Sequence, residues 1–366
     1  MKVNTKVLRN KIEKLNKVKY TNKYGINYAV LDVTGSTLRI YNSDTDNYCV
    51  RTELDGLINN DEDFKAKVDL KKLSKLLKNF GESTRIYIND DKLILSSENR
   101  VFKMNYEKVN KYPLIDYQFK DDLKEIELEK SFTNELFKHI KFVAKKGKDN
   151  RNILQRIGFK EDIAVATDSY RLIKTDLIPY IRNGNNFIEN EFSVNVEVVK
   201  FIQSIKEDIL SIQYNENDEN VRINPTNNIV ILSKKVDDNY PDTRRLIPPT
   251  FAAKVVIDSN KMLNYHKELN DLSSEKQWIV DLDLKQTTLC LDNPMIDYSI
   301  GIENDLMENS FNDVISYDCK YMIDILENLI GDMSINLQGG VNGKLKPMII
   351  RDNGNSEYIL LPVKRY

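Results

Sequence analysis

Hydrophobic and polar positions along this chain follow two alternating periods. Stretches with apolar side chains at every second position predict strands: NYAVLDV (27–33), TLRIYN (37–42), RIYIN (85–89), KLILS (92–96), ILSIQYN (209–215) and WIVDLDL (278–284). Between them stand six stretches with apolar residues three and four apart. Each follows a short strand and opens on Asn4, Asp69, Ser131, Asn195, Asp258 or Asp318. Asn, Asp and Ser side chains accept hydrogen bonds from the free N–H groups of a first helical turn, so these six positions predict helix starts. The helices are expected over 4–19, 69–80, 131–148, 195–206, 258–270 and 318–331.

The starts are spaced 65, 62, 64, 63 and 60 residues apart. Each interval reads strand–helix–strand–strand–strand, and such a period indicates repeated units sharing sheets. A longer repeat pairs the units. VNKYPLID holds Pro113 and DDNYPDTRRLIP holds Pro241, 128 residues apart. The expected organisation is an α+β chain of three similar domains, 1–122, 123–249 and 250–366. No linker is rich in Gly or Ser, so the domains are expected to pack firmly. KPMIIRD and SEYILLPV predict a hairpin around Asn353-Gly354.

Charge changes the picture because of where it lies. Formal net charge over 366 residues is −2. The six helical stretches carry 20 basic and 9 acidic residues, a surplus of 11, which leaves −13 for the remainder. Helical spacing puts Lys71, Lys75 and Lys78 opposite an apolar stripe of Leu70, Leu73, Leu77 and Phe80. It does the same for Lys138, Lys141, Lys145 and Lys148 against Leu136, Ile140 and Val143. In the first helix Leu8, Ile12 and Leu15 are expected to face a sheet, with Lys6, Arg9, Lys14 and Lys17 free. Basic helices on a net-negative chain suit contact with phosphate backbone without base reading.

Candidate chemistry is sparse. Cys49, Cys290 and Cys319 are odd in number and far apart, which predicts reduced thiols rather than disulfides or a metal site. His139 and His266 are expected as solvated side chains. No HExxH, GxSxG or CxxC motif occurs, and GGVNGKL (339–345) reads as a tight turn at Asn342-Gly343 rather than a phosphate loop. No enzyme activity, metal or cofactor is expected. The start lacks a signal-peptide core and no apolar run is long enough to span a bilayer, so a cytoplasmic location and no membrane partner are expected.

Three segments, VATDSYRLIKTD (165–176), DNYPDTRRLIPP (238–249) and EYILLPVKRY (357–366), with RNILQRIGF (151–159) as a weaker fourth, carry a resemblance. The chain resembles the bacterial β sliding clamp family, the processivity subunit of the replicative polymerase, over its whole length. That resemblance implies three domains of the clamp fold and a head-to-tail homodimer closed into a ring around double-stranded DNA. Helices would line the hole and sheets would form the outside. It also implies partners: the polymerase, a clamp loader and other proteins carrying a short clamp-binding peptide with a glutamine and a terminal hydrophobic pair.

Residue by residue, the resemblance implies a peptide pocket of Leu154, Thr167, Arg171, Leu172, Pro241, Arg245, Leu246, Tyr321, Leu360, Leu361, Pro362 and Val363. It places Phe102 and Met104 near Leu272 of a second subunit. It adds the loop after the third helix, with Lys145, Lys146, Lys148 and Arg151, to the DNA contacts. Two departures stand out. Ser169-Tyr170 replaces a usual Gly-His, and Asp318 opens the sixth helix where a neutral polar residue is common. Three other readings stay open: a two-domain, three-subunit clamp of archaeal and eukaryotic type, a β-rich hydrolase with a carboxylate pair, and a nucleic-acid-binding module that never closes.

Overall fold

Five of the six predicted caps act as caps. In the computed structural model Asn4 accepts from Val7 N, Asp69 from Lys72 N, Asn195 from Glu197 N, Asp258 from Lys261 N, and Asp318 from Lys320 N and Tyr321 N. They open α1 (Thr5–Leu15), α2 (Leu70–Leu77), α4 (Val196–Ile205), α5 (Ser259–Leu272) and α6 (Cys319–Leu326). Only α3 (Ser131–Lys138) differs: Ser131 is its first helical residue. The structure describes residues 1–19, 28–44, 46–58, 61–109, 123–145, 151–182, 188–236, 238–243, 246–273, 278–293, 296–302, 305–311 and 313–364. Pro113, Lys146, Lys148 and Arg245 lie outside them.

The chain divides into two compact units, 1–137 with 180–237, and 138–179 with 238–366. In the first unit a long antiparallel sheet runs Lys124–Glu127, Ile209–Tyr214, Asn220–Pro225, Ile229–Lys234, Tyr48–Leu54, Thr37–Ser43, Tyr28–Thr34, Phe64–Asp69 and Glu107–Lys108. Its centre is the pairing of Ile229–Lys234 with Tyr48–Leu54, in register Ile231↔Val50. A second sheet runs Lys2–Asn4, Ser83–Asn89, Lys92–Ser97 and Arg100–Asn105, the last strand standing at its edge. α1 and α2 pack together and bury Leu8, Ile12, Leu15, Leu70, Leu73 and Leu77.

In the second unit Arg156–Glu161, Ile163–Thr167 and Arg171–Asp176 continue into Ser356–Leu360, Met348–Arg351, Asp332–Leu337, Ala253–Asp258 and Asp305–Asn309. Here Arg171–Asp176 pairs with Ser356–Leu360, in register Ile173↔Tyr358. A smaller sheet holds Ile296–Gly301, Thr288–Asn293, Ile279–Asp283 and Val314–Asp318. The hairpin predicted around Asn353-Gly354 joins Met348–Arg351 to Ser356–Leu360, with Gly354 N donating to Asp352 Oδ1 at 2.9 Å.

Several expectations need correction. The third helix does not reach residue 148. It tightens to a 3₁₀ turn at His139–Lys141, and then Phe142, Val143 and Ala144 are buried in succession. Three adjacent buried side chains cannot lie on one helical face, and Ala144 N instead donates to Leu154 O at 2.8 Å. Lys145 is therefore exposed but off the helix. The sixth helix ends at Leu326, not 331. Lys14 and Lys17 are not free: Lys14 pairs with Glu207, and Lys17 donates to Ser204 O. Both histidines are fully buried rather than solvated. His266 meets Met262 O at 2.8 Å and Tyr317 Oη at 2.9 Å, while His139 Nε2 lies 3.4 Å from Ala164 O.

Candidate functional site

Arg171 organises the site, and its neighbours follow from strand pairing in the second unit. Thr167 ends one strand and Leu172 stands opposite it on the next, so the four residues between them form a fixed turn. Asp168 shapes that turn: its Oδ1 accepts from Tyr170 N and Arg171 N, each at 3.1 Å. Thr167 Oγ1 donates to Arg171 O at 2.7 Å and accepts from Ser169 N at 3.1 Å. Ser169 sits at φ +79°, a left-handed conformation that favours glycine. It is held there by that N–H and by Arg151 Nη2, which donates to Ser169 Oγ at 2.6 Å.

The Arg171 side chain is buried, and each face of its guanidinium finds a partner. Nε donates to Asp168 Oδ2 at 3.1 Å, Nη1 to Asp324 Oδ2 at 2.5 Å, and Nη2 to Lys141 O at 2.7 Å. Its Cζ lies 4.3 Å from the Tyr321 ring centroid and 5.2 Å from that of Phe142. Tyr321 in turn stacks on the Tyr170 ring, at 6.1 Å and 27°. Burial pushes the Tyr321 hydroxyl above its ordinary pKa, and Asp168 pushes in the same direction. Tyr170 is 60% exposed, so the stack ends in solvent on an aromatic face.

Leu360 pairs with Arg171 across the sheet, and the tail beyond it stays attached. Leu361 N donates to Tyr170 O at 2.9 Å and Val363 N to Ser316 O at 2.7 Å. Leu361, Pro362 and Val363 are half-buried, whereas Leu154, Leu172 and Leu360 are buried. Tyr240 reaches the site from the segment that carries Pro241. Its hydroxyl accepts from Thr167 N at 3.1 Å and meets Arg156 O at 3.4 Å. A Cβ on Gly158 would stand 2.6 Å from the Tyr240 ring, so only glycine lets the ring lie on that strand.

Of the implied pocket residues, these contacts gather Thr167, Arg171, Leu172, Tyr321, Leu360 and Leu361. Leu154 is tied in through its main chain to Ala144, and Pro241 through its neighbour Tyr240. Leu246 is 37% exposed, and its N donates to Thr243 O at 3.2 Å. Sequence reasoning passed over Asp324, Tyr240 and Phe142. Asp324 left one local signal, its position one turn after Tyr321 on α6.

The other implied residues fall as follows. Lys71 and Lys75 are exposed on α2, opposite its buried leucines, and Lys78 is exposed as its C-cap. Lys138 is half-buried, and Lys141 is paired with Glu327 and lies 3.5 Å from Asp324 Oδ1. Phe102 is 37% exposed on the edge strand Arg100–Asn105, with Met104 half-buried beside it. Leu272 ends α5 and is also 37% exposed. Among the described residues, no group of three or more His, Cys, Asp or Glu is placed to hold a metal. The cysteines are free thiols, and burial pushes those of Cys49 and Cys319 up to about 12. No described helix is long and apolar enough to cross a membrane.

No family model matches the chain. Curated proteins named Beta sliding clamp from Staphylococcus aureus are 24% identical over 300 residues, covering 78% of this chain and 76% of theirs. The one from Staphylococcus epidermidis is 25% identical over 306 residues, with the same coverage. Among solved structures, the DNA polymerase sliding clamp of Bacillus subtilis superposes with a TM-score of 0.83 at 18% identity, covering 100% of this chain and 99% of that one. The DNA polymerase III beta chain of Streptococcus pneumoniae gives 0.83 at 17% identity, and the beta subunit of Thermotoga maritima 0.78 at 19%, both with the same coverage. The chain has the sliding clamp fold from end to end and is similar, as a divergent relative, to beta sliding clamps.

Proposed function

We propose that this chain is a DNA sliding clamp of the bacterial replicative type. Two copies join head to tail in a ring around duplex DNA, and the ring tethers the polymerase, a clamp loader and other clamp-binding proteins. It performs no chemistry of its own. One observation carries the reading: likeness to solved clamps covers the entire chain, and the curated relatives similar to it in sequence are clamps. The surplus of positive charge on the helical stretches supports it.

In this reading the chain comprises three domains, with boundaries near 122 and 249. The exposed lysines of α2, with Lys138, Lys141, Lys145, Lys146, Lys148 and Arg151, meet phosphates without reading bases. The edge strand bearing Phe102 and Met104 meets Leu272 of a second copy, which would cover an otherwise open sheet edge. The cleft around Arg171, Leu172, Tyr321 and Leu360–Val363 takes the partner peptide, with apolar walls for anchoring side chains and a polar rim. Arg245 and Leu246 belong to the same proposed cleft.

The oligomeric state tests this directly. Light scattering at micromolar concentration is expected to give the mass of two chains, and Phe102→Asp is expected to halve it. A monomeric wild-type protein would contradict closure.

A further inference from the structure

Within the sliding-clamp reading, we propose that Glu327 is a positioning residue that restrains Lys141 from duplex phosphates and so keeps the grip on DNA weak. Lys141 closes the 3₁₀ turn after α3, where the chain leaves the helix. Its ammonium contacts Glu327 Oε2 and lies 3.5 Å from Asp324 Oδ1. The two carboxylates stand one turn apart at the end of α6, and Glu327 is its C-cap. They are not equivalent. Asp324 gives its second oxygen to Arg171 at 2.5 Å, inside the candidate peptide site. Among the described residues, the second oxygen of Glu327 meets a more distant cation, Lys267 Nζ at 4.0 Å. Asp324 therefore serves Arg171 first, and Glu327 is the carboxylate available to Lys141.

The pair is open to solvent: the Lys141 side chain is 41% exposed and that of Glu327 37%. An ion pair so exposed is weak, so a DNA phosphate can displace the carboxylate. Each phosphate contact made freely would add about 0.9 to the slope of log affinity against log salt concentration. A lysine that must first leave a carboxylate adds less. A ring held on DNA by its closure has no need of strong contacts, and contacts that exchange easily let it slide. Glu327 gives Lys141 that character without drawing on the acid that fixes Arg171.

The test uses the full chain and a short fluorescent duplex, with binding followed by anisotropy across a salt series. Glu327→Gln is expected to bind about five-fold tighter near 0.15 M salt, with a slope steeper by a fraction of the ~0.9 that one free phosphate contact adds. In a Lys141→Gln background the same change is expected to do nothing. A gain that persists without Lys141 would overturn the proposal, because it would then be a long-range charge effect or the release of Lys267. No gain from Glu327→Gln would overturn it as well. Retention of the wild-type ring on closed DNA is a separate measurement. If that retention holds while the salt series does not respond, the restraint by Glu327 fails and the sliding-clamp reading stands.

Discussion

A buried arginine is costly unless its charge and all its N–H groups are satisfied. Arg171 meets that demand with two carboxylates, one main-chain carbonyl and two aromatic rings. One of the two carboxylates was legible in the sequence. Asp168 lies three residues before Arg171, where an Asp shapes a turn, but Asp324 lies 153 residues away, and no local pattern joins the two. His266 is the opposite case. The residues HKEL around it look solvated, yet Met262, His266 and Leu269 are four and three apart and share the buried stripe of α5. Burial lowers the His266 pKa to about 4, against about 6.5 in an unfolded chain. The folded state therefore disfavours the proton that the unfolded state accepts. The resulting stability is fully present above pH 6.5 and is lost as pH falls toward 4, by about 3 kcal/mol at pH 4. Denaturant melts at pH 7 and pH 4 are expected to show that extra loss in the wild type and not in His266→Gln. Equal losses in both would place the titration elsewhere.

Most elements with local signals form where their sequence predicts, the cap at Ser131 excepted. Caps, strand alternation and the turn at Asn353-Gly354 depend on neighbours a few residues apart, and five caps make the hydrogen bonds their side chains permit. The third helix was overextended because lysines at helical spacing continue past the point where Phe142–Ala144 must all be buried. Burial overrode the pattern there, as Glu207 and Ser204 O did for the lysines of α1 expected to be free. The segment after Leu360 is a different kind of element. Main-chain hydrogen bonds at Leu361 and Val363 attach it, each contributing about 1 kcal/mol net. A chain ending at Leu360 is expected to melt only a few degrees lower. It is also expected to lose more than ten-fold in affinity for a peptide with a glutamine and a terminal hydrophobic pair, measured by calorimetry. Unchanged affinity would remove the tail from the binding site.

At the scale of the molecule, the spacing of helix starts showed six similar units. It did not show how strands from different units would join. In the first unit Ile229–Lys234 meets Tyr48–Leu54, and in the second Arg171–Asp176 meets Ser356–Leu360. Both pairings cross the boundaries expected from sequence, so stretches expected to be separate domains share sheets instead of hanging on linkers. Such register depends on residues more than a hundred positions apart and cannot be read from local alternation. The proposed ring would hold DNA by closure and not by affinity. The direct measurement loads the protein onto nicked circular DNA at a salt concentration that suppresses ordinary binding, and then linearises half of the sample. The protein is expected to stay on the circle and to run off the linear molecule within the time of a gel-filtration run. Equal retention on both forms, or on neither, would contradict a ring around the duplex.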